Sequence, residues 1–340
     1  MNFILRDENA VYYECGYSND NAVYLRLGQE AWLITDARYT VEAKERVRQA
    51  EVVESADLLK TVRRLLRSQK VRRLVFDPKE WSTYALESLR TKMPHLYLSA
   101  YPDFSHRRRM IKRDDEIALL KEAARLGRGG FDAFAKYLSL SGLDKREKRL
   151  HFEMKAQMSR FGEYDLSFDP IVAINANAAK PHALATDTLL KEGDLLLVDA
   201  GLKYRRYCSD RTRTAYVGDE VNFSDEQRFT SPKIQQAYDL VRKAHDRAIE
   251  KARCGMTGAQ IDALAREVIE KGGMGELFVH STGHGVGLDI HEMPYIAKRS
   301  TTVIEEGMVF TIEPGVYLPG AFGIRIEDMV VMRNGRAEVL

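Results

Sequence analysis

Hydrophobic and polar positions over the first hundred residues follow two different periods in short alternating segments. The segments NAVYLRL and AWLITD are short and β-rich, with Gly28-Gln29 between them, which predicts a β-hairpin. Residues 39–50 and 56–68 carry apolar side chains at helical spacing, and leucines form a stripe in the second segment. RRLVFD at 72–77 predicts a further strand, and WSTYALESLR predicts a further helix. Together these elements predict a small α/β domain.

After this region the pattern changes to long helices, then strands, helices and strands again. Residues 114–138 and 144–161 predict two helices, followed by the strand-like segments PIVAIN, DLLLVDAG and YRRYCSDRTRTAYVG. Ser231-Pro232 predicts the start of a third helix, with serine as N-cap and proline at the first helical position. Thr257 with Gln260 resembles the capping box of a fourth helix. The strands GMVFTIEPGVY and GIRIEDMVVM come last, so the second domain is of the α+β class.

A basic cluster, HRRRMIKR, lies between the two regions. Such runs are usually solvated, and Asp114, Asp115 and Glu116 follow at once, where the first turn of a helix favours acidic residues. We therefore predict a solvated linker rather than a nucleic-acid patch. The predicted domains are an α/β N-terminal domain over residues 1–110 and an α+β domain over residues 111–340.

Composition and charge exclude several classes of function. The chain has 340 residues, enough for about two domains. Lys plus Arg is 52 and Asp plus Glu is 50, so there is no electrostatic case for nucleic acid or an acidic membrane. The three cysteines show no C-x-x-C spacing, which argues against a disulfide framework and favours a reducing compartment. The sequence shows neither a signal-peptide pattern nor a long apolar run, so we predict a cytoplasmic protein without a membrane segment.

Two aspartates stand in neighbouring strands of one predicted hairpin. Asp199 ends the apolar strand LLLVDAG, and Asp210 lies in the next strand, YCSDRTRT. With the turn centred between Tyr204 and Arg205, the two aspartates would stand directly opposite each other, with Cβ atoms about 5 Å apart. Like charges at that distance repel unless a cation lies between them or one carboxyl is protonated. The pair predicts a cation site; the alternative is that each carboxylate is solvated.

Two glutamates repeat this arrangement in the last predicted hairpin. Glu313 lies in FTIEPGVY and Glu327 in GIRIEDMVV, and a turn centred on Gly320 would place them opposite each other on one face. A register slip of one residue would separate them, because it would move one of them to the other face. Both carboxylate pairs lie at the ends of apolar strands, where an unpartnered charge is costly.

Three histidines, His280, His284 and His291, lie between the two hairpins in the segment HSTGHGVGLDIHE. The glycines at 283, 285 and 287 disfavour a helix, so this is not a helical H-E-x-x-H zinc site. We predict an extended segment that brings backbone and imidazole groups close to a small ligand.

Four carboxylates and at least one imidazole describe a site for two cations. Carboxylate oxygens suit Mn²⁺ first, with Fe²⁺, Co²⁺ and Zn²⁺ as alternatives. Two such ions about 3.5–4 Å apart can share a water and lower its pKa, which gives a hydroxide nucleophile at neutral pH. The residues therefore predict a hydrolase, but they do not identify its substrate.

The motifs NANAAKPHA, VDAG, YCSDRTRT, HSTGHGVGLDIHE, TIEPGVY and RIED resemble those of the pita-bread (creatinase-like) metallopeptidases, family M24. The resemblance implies a creatinase-type N-terminal α/β domain and a pita-bread catalytic domain. It also implies an enzyme that hydrolyses Xaa-Pro bonds in a dipeptide, or, as an aminopeptidase P, in longer peptides, and that forms a homodimer. A pita-bread module that only binds partners is the non-enzymatic alternative. Asn175 stands where the family often has glycine, and asparagine tolerates the left-handed conformation.

The resemblance also assigns roles to individual residues. The metal ligands it implies are Asp199, Asp210, His284, Glu313 and Glu327. Within this set, Asp210 and Glu327 would bridge two divalent ions. Glu313 would also act as the acid/base for the bridging hydroxide, because a carboxylate within hydrogen-bond reach of the nucleophile can exchange its proton.

Further residues are implied to contact the substrate. His182 would lie at the substrate cleft, and His280 would hydrogen-bond the substrate carbonyl or the oxyanion. His291 would help to hold the proline or its carboxylate. Tyr317 and Arg325 match positions that line the same pocket, where the arginine could pair with a terminal carboxylate or orient a ligand.

Overall fold

The computed structural model describes residues 1–340 and separates into two units, Met1–Arg109 and Met110–Leu340. The elements of the first unit are β1 (Phe3–Leu5), α1 (Glu8–Cys15), β2 (Ala22–Leu27), β3 (Glu30–Thr35), α2 (Thr40–Arg46), β4 (Glu51–Glu54), α3 (Leu58–Ser68), β5 (Arg73–Phe76), α4 (Thr83–Lys92), β6 (Tyr97–Ala100) and α5 (Phe104–Arg109).

A mixed sheet in the order β4-β3-β2-β1-β5-β6 forms the centre of this first unit. The predicted hairpin is confirmed, because β2 and β3 pair in antiparallel fashion up to Leu27 and Glu30. Alternate side chains fill two cores, with Leu25 on one face of the sheet and Tyr24 on the other. The helix predicted over residues 39–50 is too long, since α2 ends at Arg46. The chain then forms β4, which pairs in parallel with β3, a long-range contact that local periodicity does not reveal.

The second unit begins with α6 (Asp114–Ser141), α7 (Glu147–Met158), β7 (Ile171–Ile174), β8 (Leu195–Asp199), β9 (Lys203–Tyr204), β10 (Tyr207–Cys208) and β11 (Thr212–Tyr216). It continues with α8 (Pro232–Lys251), α9 (Gly258–Lys271), β12 (Gly283–Gly285), β13 (Glu292–Ile296), β14 (Val309–Ile312), β15 (Gly315–Leu318), β16 (Phe322–Arg325), β17 (Asp328–Arg333) and β18 (Arg336–Val339).

A three-stranded sheet, in the order β11-β8-β7, has both faces buried. Leu196 and Val198 belong to the same core as residues of α6 and α7, whereas Leu195 and Leu197 belong to the same core as residues of α8 and α9. A strand covered on both sides needs apolar residues at consecutive positions, which explains the run LLLV before Asp199.

A five-stranded sheet, in the order β13-β12-β14-β17-β18, supplies the remaining strands around the site. Its residues Phe310 and Val330 share a core with α8 and α9. The capping box at Thr257 is confirmed, since its side chain accepts from the Gln260 backbone and the Gln260 side chain accepts in return. Ser231 does precede α8, but its side chain makes no capping hydrogen bond.

The basic cluster differs from its prediction as a solvated linker. Residues Phe104–Arg109 form α5, and the Lys112 side chain is buried in an ion pair with Glu292, with 2.6 Å between Nζ and Oε1. Burial of a paired charge could not be read from a basic run, because the partner lies 180 residues away. None of the helices combines the length and the apolar composition that crossing a membrane requires.

Candidate active site

The turn of the first carboxylate hairpin is one residue later than predicted. Tyr204 pairs with Tyr207, so Arg205 and Arg206 form the turn, with φ of 47° and 74°. Positive φ at both central positions matches the twist of a two-residue hairpin. Tyr204 is the last residue of β9 and not part of the turn, and its ring packs against the Tyr164 ring, with centroids 6.3 Å apart.

This shift changes the partner of Asp199. Asp199 pairs with Thr212 and not with Asp210, so the predicted direct opposition of the two aspartates is wrong. The pairing moves by two residues, and side chains alternate with a period of two, so Asp199 and Asp210 remain on the same face as diagonal neighbours.

The register predicted for the second carboxylate hairpin is confirmed. The β14–β17 and β15–β16 ladders share one register, which centres the turn on Gly320, with φ of 74°. Glu313 and Glu327 lie between the two ladders at matching positions of this register. They therefore face each other, as the sequence predicted.

Thr212 joins the two hairpins. Its Oγ1 lies 2.6 Å from Oε2 of Glu327, and its carbonyl oxygen accepts from the Glu327 backbone N–H at 3.0 Å. Thr212 therefore contacts one acid while it stands opposite another, Asp199. Sequence reasoning missed this residue, although its alternate spacing from Asp210 placed it on the acidic face.

Three of the predicted ligands converge closely enough to hold one ion. Ligand atoms of Asp210, His284 and Glu327 lie within 4.8 Å of one another, and all three residues are buried. The Nε2 atom of His284 is 3.6 Å from an oxygen of Asp210 and 3.6 Å from an oxygen of Glu313. These distances are long for hydrogen bonds, but ligands that each lie about 2.1 Å from one ion are separated by roughly 3–3.5 Å.

The electrostatics of the carboxylates fit divalent cations. Oδ1 of Asp199 and Oε1 of Glu327 are buried without a hydrogen-bond partner. Burial, reinforced by repulsion from the neighbouring acids, holds the pKa of Asp210 and that of Glu327 well above the usual range. Burial also raises the pKa of Glu313 to about 7. Unpaired oxygens and crowded charges of this kind are stabilised by a metal ion.

His284 has the protonation state that a metal ligand requires. Burial lowers its pKa to about 3, so the ring is neutral at pH 7. Its Nδ1 lies 3.1 Å from the Gly285 carbonyl oxygen, which only accepts, so the proton is assigned to Nδ1. The Nε2 lone pair then faces the carboxylates. The absence of a side chain at Gly283 lets the strand that carries His284 approach β14 closely, because a Cβ at position 283 would lie 1.8 Å from the Thr311 carbonyl oxygen.

Helix α9 holds the segment that carries His280. The Asp262 carboxylate accepts from the backbone and side chain of Thr282, and it pairs with Arg266 four residues later. Arg266 in turn donates to the carbonyl oxygens of Phe278 and His280. Neither α9 residue was a candidate from the sequence, because an i,i+4 ion pair is common on helix surfaces and carries no functional signal.

Arg325, Tyr317 and His280 form a hydrogen-bonded chain that ends on Asp199. Arg325 donates to the Tyr317 hydroxyl at 3.0 Å and to Asp199 at 2.6 Å. The Tyr317 oxygen lies 2.9 Å from Nε2 of His280, whose Nδ1 is 2.7 Å from the Ser281 carbonyl oxygen. Burial lowers the pKa of His280 to about 3, so its ring is neutral and accepts the Tyr317 proton. Both ring nitrogens of His280 therefore have protein partners, and its contact with substrate stays a prediction.

A cavity of about 530 Å³ opens onto these groups. All predicted site residues except Tyr317 line it, and His182 and His291 are exposed there. Tyr317 is only 3% exposed and is hydrogen-bonded to the cavity-lining residues Arg325 and His280, so its own contact with a ligand stays a prediction. Its hydroxyl is drawn inward by its two hydrogen bonds. Asn175, at the base of the loop that carries His182, has the tolerated left-handed φ of 48°.

Comparison with known proteins agrees with this architecture. The profile of Metallopeptidase family M24 matches residues 118–334, and that of the Creatinase/Prolidase N-terminal domain matches residues 2–111. The chain belongs to metallopeptidase family M24. The resemblance read from the motifs is thus confirmed, as are the pita-bread fold with its creatinase-type N-terminal domain and the assignment as an enzyme.

Relatives of this M24 chain include two solved structures. An Xaa-Pro dipeptidase from Bacillus anthracis has a TM-score of 0.90 at 33% identity, covering 99% of this chain and 92% of that one. An X-Pro aminopeptidase from Thermotoga maritima has a TM-score of 0.88 at 31% identity, covering 99% and 94%. An Xaa-Pro dipeptidase from Pyrococcus furiosus is 38% identical over 232 residues, which are 68% of this chain and 63% of that protein.

Proposed function

We propose that this M24 peptidase uses two divalent ions to hydrolyse Xaa-Pro bonds, and that its substrates are Xaa-Pro dipeptides. The observation that carries the proposal is the convergence of Asp210, His284 and Glu327, with Glu313 and Asp199 beside them, in one small cavity. A volume of about 530 Å³ suits a small peptide. Xaa-Pro dipeptidases among the relatives support the substrate class.

Two divalent ions would be held by the five ligands that the motifs implied, Asp199, Asp210, His284, Glu313 and Glu327. Mn²⁺ is the first choice, because four of the five ligands are carboxylates, and Co²⁺, Zn²⁺ and Fe²⁺ are the alternatives. When bound, the ions would act as Lewis acids and would lower the pKa of a coordinated water. Because Asp199 Oδ1 and Glu327 Oε1 lack other partners, they are free to coordinate.

Glu313 is the proposed acid/base. Its carboxyl group lines the cavity, with one oxygen 3.6 Å from Nε2 of His284, and therefore lies within reach of a water held by the same ligands. His280 is proposed to donate from Nε2 to the substrate carbonyl oxygen, which requires that Nε2 release the Tyr317 hydroxyl and carry a proton. The exposed ring of His182 is proposed to contact substrate in the cleft, and that of His291 to help hold the proline or its carboxylate.

Aminopeptidase P activity on longer peptides is the second candidate, and one observation favours it. Arg325 is the one arginine or lysine side chain lining the cavity, and all three of its nitrogens already donate to protein groups, namely Asp199, Pro181, Thr212 and Tyr317. Four of its five N–H groups are thereby engaged, so a dipeptide's terminal carboxylate could not be bound by this guanidinium in bidentate fashion. A longer peptide carries no charge at that position.

The test is hydrolysis by metal-stripped protein to which Mn²⁺ has been returned. Ala-Pro and Ala-Pro-Ala are offered side by side, with Ala-Ala as the control peptide, and free alanine is measured. Release from Ala-Pro alone establishes a dipeptidase. Comparable or faster release from Ala-Pro-Ala establishes an aminopeptidase P. If neither proline peptide is cleaved while metal is bound, the proposal fails. The homodimer and the cytoplasmic location stay predictions of the resemblance and of the sequence.

A further inference from the structure

The carboxylate of Glu147 lies at the start of α7, away from the proposed metal ligands, and is fully buried with 0% exposure. No lysine, arginine or histidine forms an ion pair with it. Such a charge requires hydrogen-bond donors, and a position in the first turn of a helix adds only a modest stabilisation.

All of its donors come from one segment of chain. Oε1 accepts from the backbone N–H of Ile174 at 2.6 Å. Oε2 accepts from the Asn177 amide at 2.9 Å and from the backbone and hydroxyl of Thr186 at 2.6 and 2.5 Å. Ile174 ends β7 and Thr186 lies twelve positions later, so one side chain closes both ends of the loop between them.

This loop forms one wall of the cavity. Its five consecutive residues 181–185 line the cavity, and they include the exposed His182. Within the loop, Asn177 links Glu147 to the cavity wall, because its amide also donates to the Leu184 carbonyl oxygen at 2.9 Å. The hydrogen bonds of Glu147 are therefore connected to the cavity wall through a single intermediate residue.

We propose that Glu147 is a positioning residue for substrate, which fixes the 175–185 loop and so holds His182 against the cavity. The metal ligands belong to other segments, so Glu147 acts on substrate binding and not on metal uptake. Only the kinetic part of this inference rests on the proposed function.

Glu147→Gln is the decisive variant. Glutamine keeps the shape of the side chain but replaces one carboxylate oxygen with an NH₂ group, which cannot accept a hydrogen bond. Because both oxygens of Glu147 accept from N–H groups, at least one N–H loses its acceptor whichever oxygen is replaced. We expect the KM for the better of Ala-Pro and Ala-Pro-Ala to rise about tenfold, with kcat changed less than about twofold. Bound Mn²⁺ should be unchanged. We also expect faster hydrogen exchange at the amides of Ile174 and Thr186, measured by mass spectrometry on the full chain.

Glu153→Gln is the matched control. Glu153 is a buried acid on the same helix, but it pairs with Arg149 on α7 itself and not with a residue of the loop. The Glu153→Gln variant should leave KM and the hydrogen-exchange rates of the loop amides unchanged. If Glu147→Gln does not fold, Thr186→Val is measured in the same way. It removes the hydroxyl that donates to Glu147 and accepts from the Thr188 backbone N–H, and we expect a smaller rise in both KM and the exchange rates.

The outcomes are distinguishable from a failure of the proposed function. If the unaltered protein cleaves no proline peptide, the proposed substrate is wrong, and the exchange measurement still tests the anchoring. Unchanged exchange and unchanged KM in both variants overturn the inference. A fall in kcat accompanied by loss of Mn²⁺ also overturns it, because it would mean that Glu147 acts through the metal ligands.

Discussion

Arg325 and Asp199 form a buried ion pair across 126 residues of sequence, with Nη2 of the arginine 2.6 Å from Oδ2 of the aspartate. Because of this pair, the guanidinium must be counted with the carboxylates in the formal charge that bound cations would neutralise. One guanidinium and four carboxylates, those of Asp199, Asp210, Glu313 and Glu327, carry a formal charge of −3, which is more than a single divalent ion can neutralise.

Replacing Arg325 with methionine should destabilise the metal-depleted protein. Asp199 would keep a buried charge without its partner, and breaking such a pair costs about 3–5 kcal/mol, or roughly 10 °C in Tm. Arg333→Met is the control, because its ion pair with Asp114 is exposed and contributes little. Thermal unfolding in EDTA measures both variants. Equal midpoints for the two would show that the Arg325 pair contributes no stability.

Asp210→Asn should abolish metal binding and hydrolysis while stabilising the metal-depleted protein. We expect activity to fall about 10²-fold or more, since even loss of a residue behind a ligand costs about 10–100-fold. The Tm in EDTA should rise, because repulsion of Asp210 by Glu327, Asp199 and Glu313 is removed. Metal analysis and thermal unfolding measure the two effects. The exposed Asp144→Asn serves as control, and retained metal in Asp210→Asn would contradict the ligand assignment.

Tyr317→Phe should lower kcat about tenfold and leave bound metal unchanged. The hydroxyl accepts from Arg325 and donates to His280, so its loss leaves a buried guanidinium N–H and an imidazole nitrogen unpaired. Burial raises the pKa of Tyr317 to about 12, so the hydroxyl stays protonated throughout the assay range. Tyr238→Phe removes another buried hydroxyl far from the cavity and controls for stability. A kcat equal to that of the unaltered protein would remove Tyr317 from the mechanism.

Glu80→Gln should flatten the pH dependence of stability in the N-terminal unit. Burial raises the pKa of Glu80 from 4.5 to about 7, against the backbone N–H groups of Arg6 and Asp7 that donate to it. Between these values the folded state holds more protons than the unfolded state, so this group makes stability fall as pH rises from about 4.5 to 7. Unfolding midpoints at pH 5 and pH 8 should differ less in Glu80→Gln than in the unaltered protein. Glu87→Gln, at an exposed ion pair, should not reduce the difference.

Much of the site could be predicted because its signals are local. Glu313 and Glu327 flank a turn whose glycine fixes the register, so counting from Gly320 was enough to place them opposite each other. The glycines around His284 exclude a helix, and the acids and imidazoles identify cation chemistry by type alone. The first hairpin shows the limit of this reasoning, because its turn, Arg205-Arg206, has no glycine to mark its position in the sequence.

The sequence by itself determined most of the helices and strands, the family and the types of the ligands, since periodicity, turn residues and motif spacing act over a few residues. Tertiary structure alone decided how the two hairpins meet at Thr212, which acid Arg325 neutralises, and how Glu147 closes the loop of His182. These contacts join residues that are tens to more than a hundred positions apart. Only packing of the two sheets and their helices brings such residues together, and no local pattern records which of the possible partners is chosen.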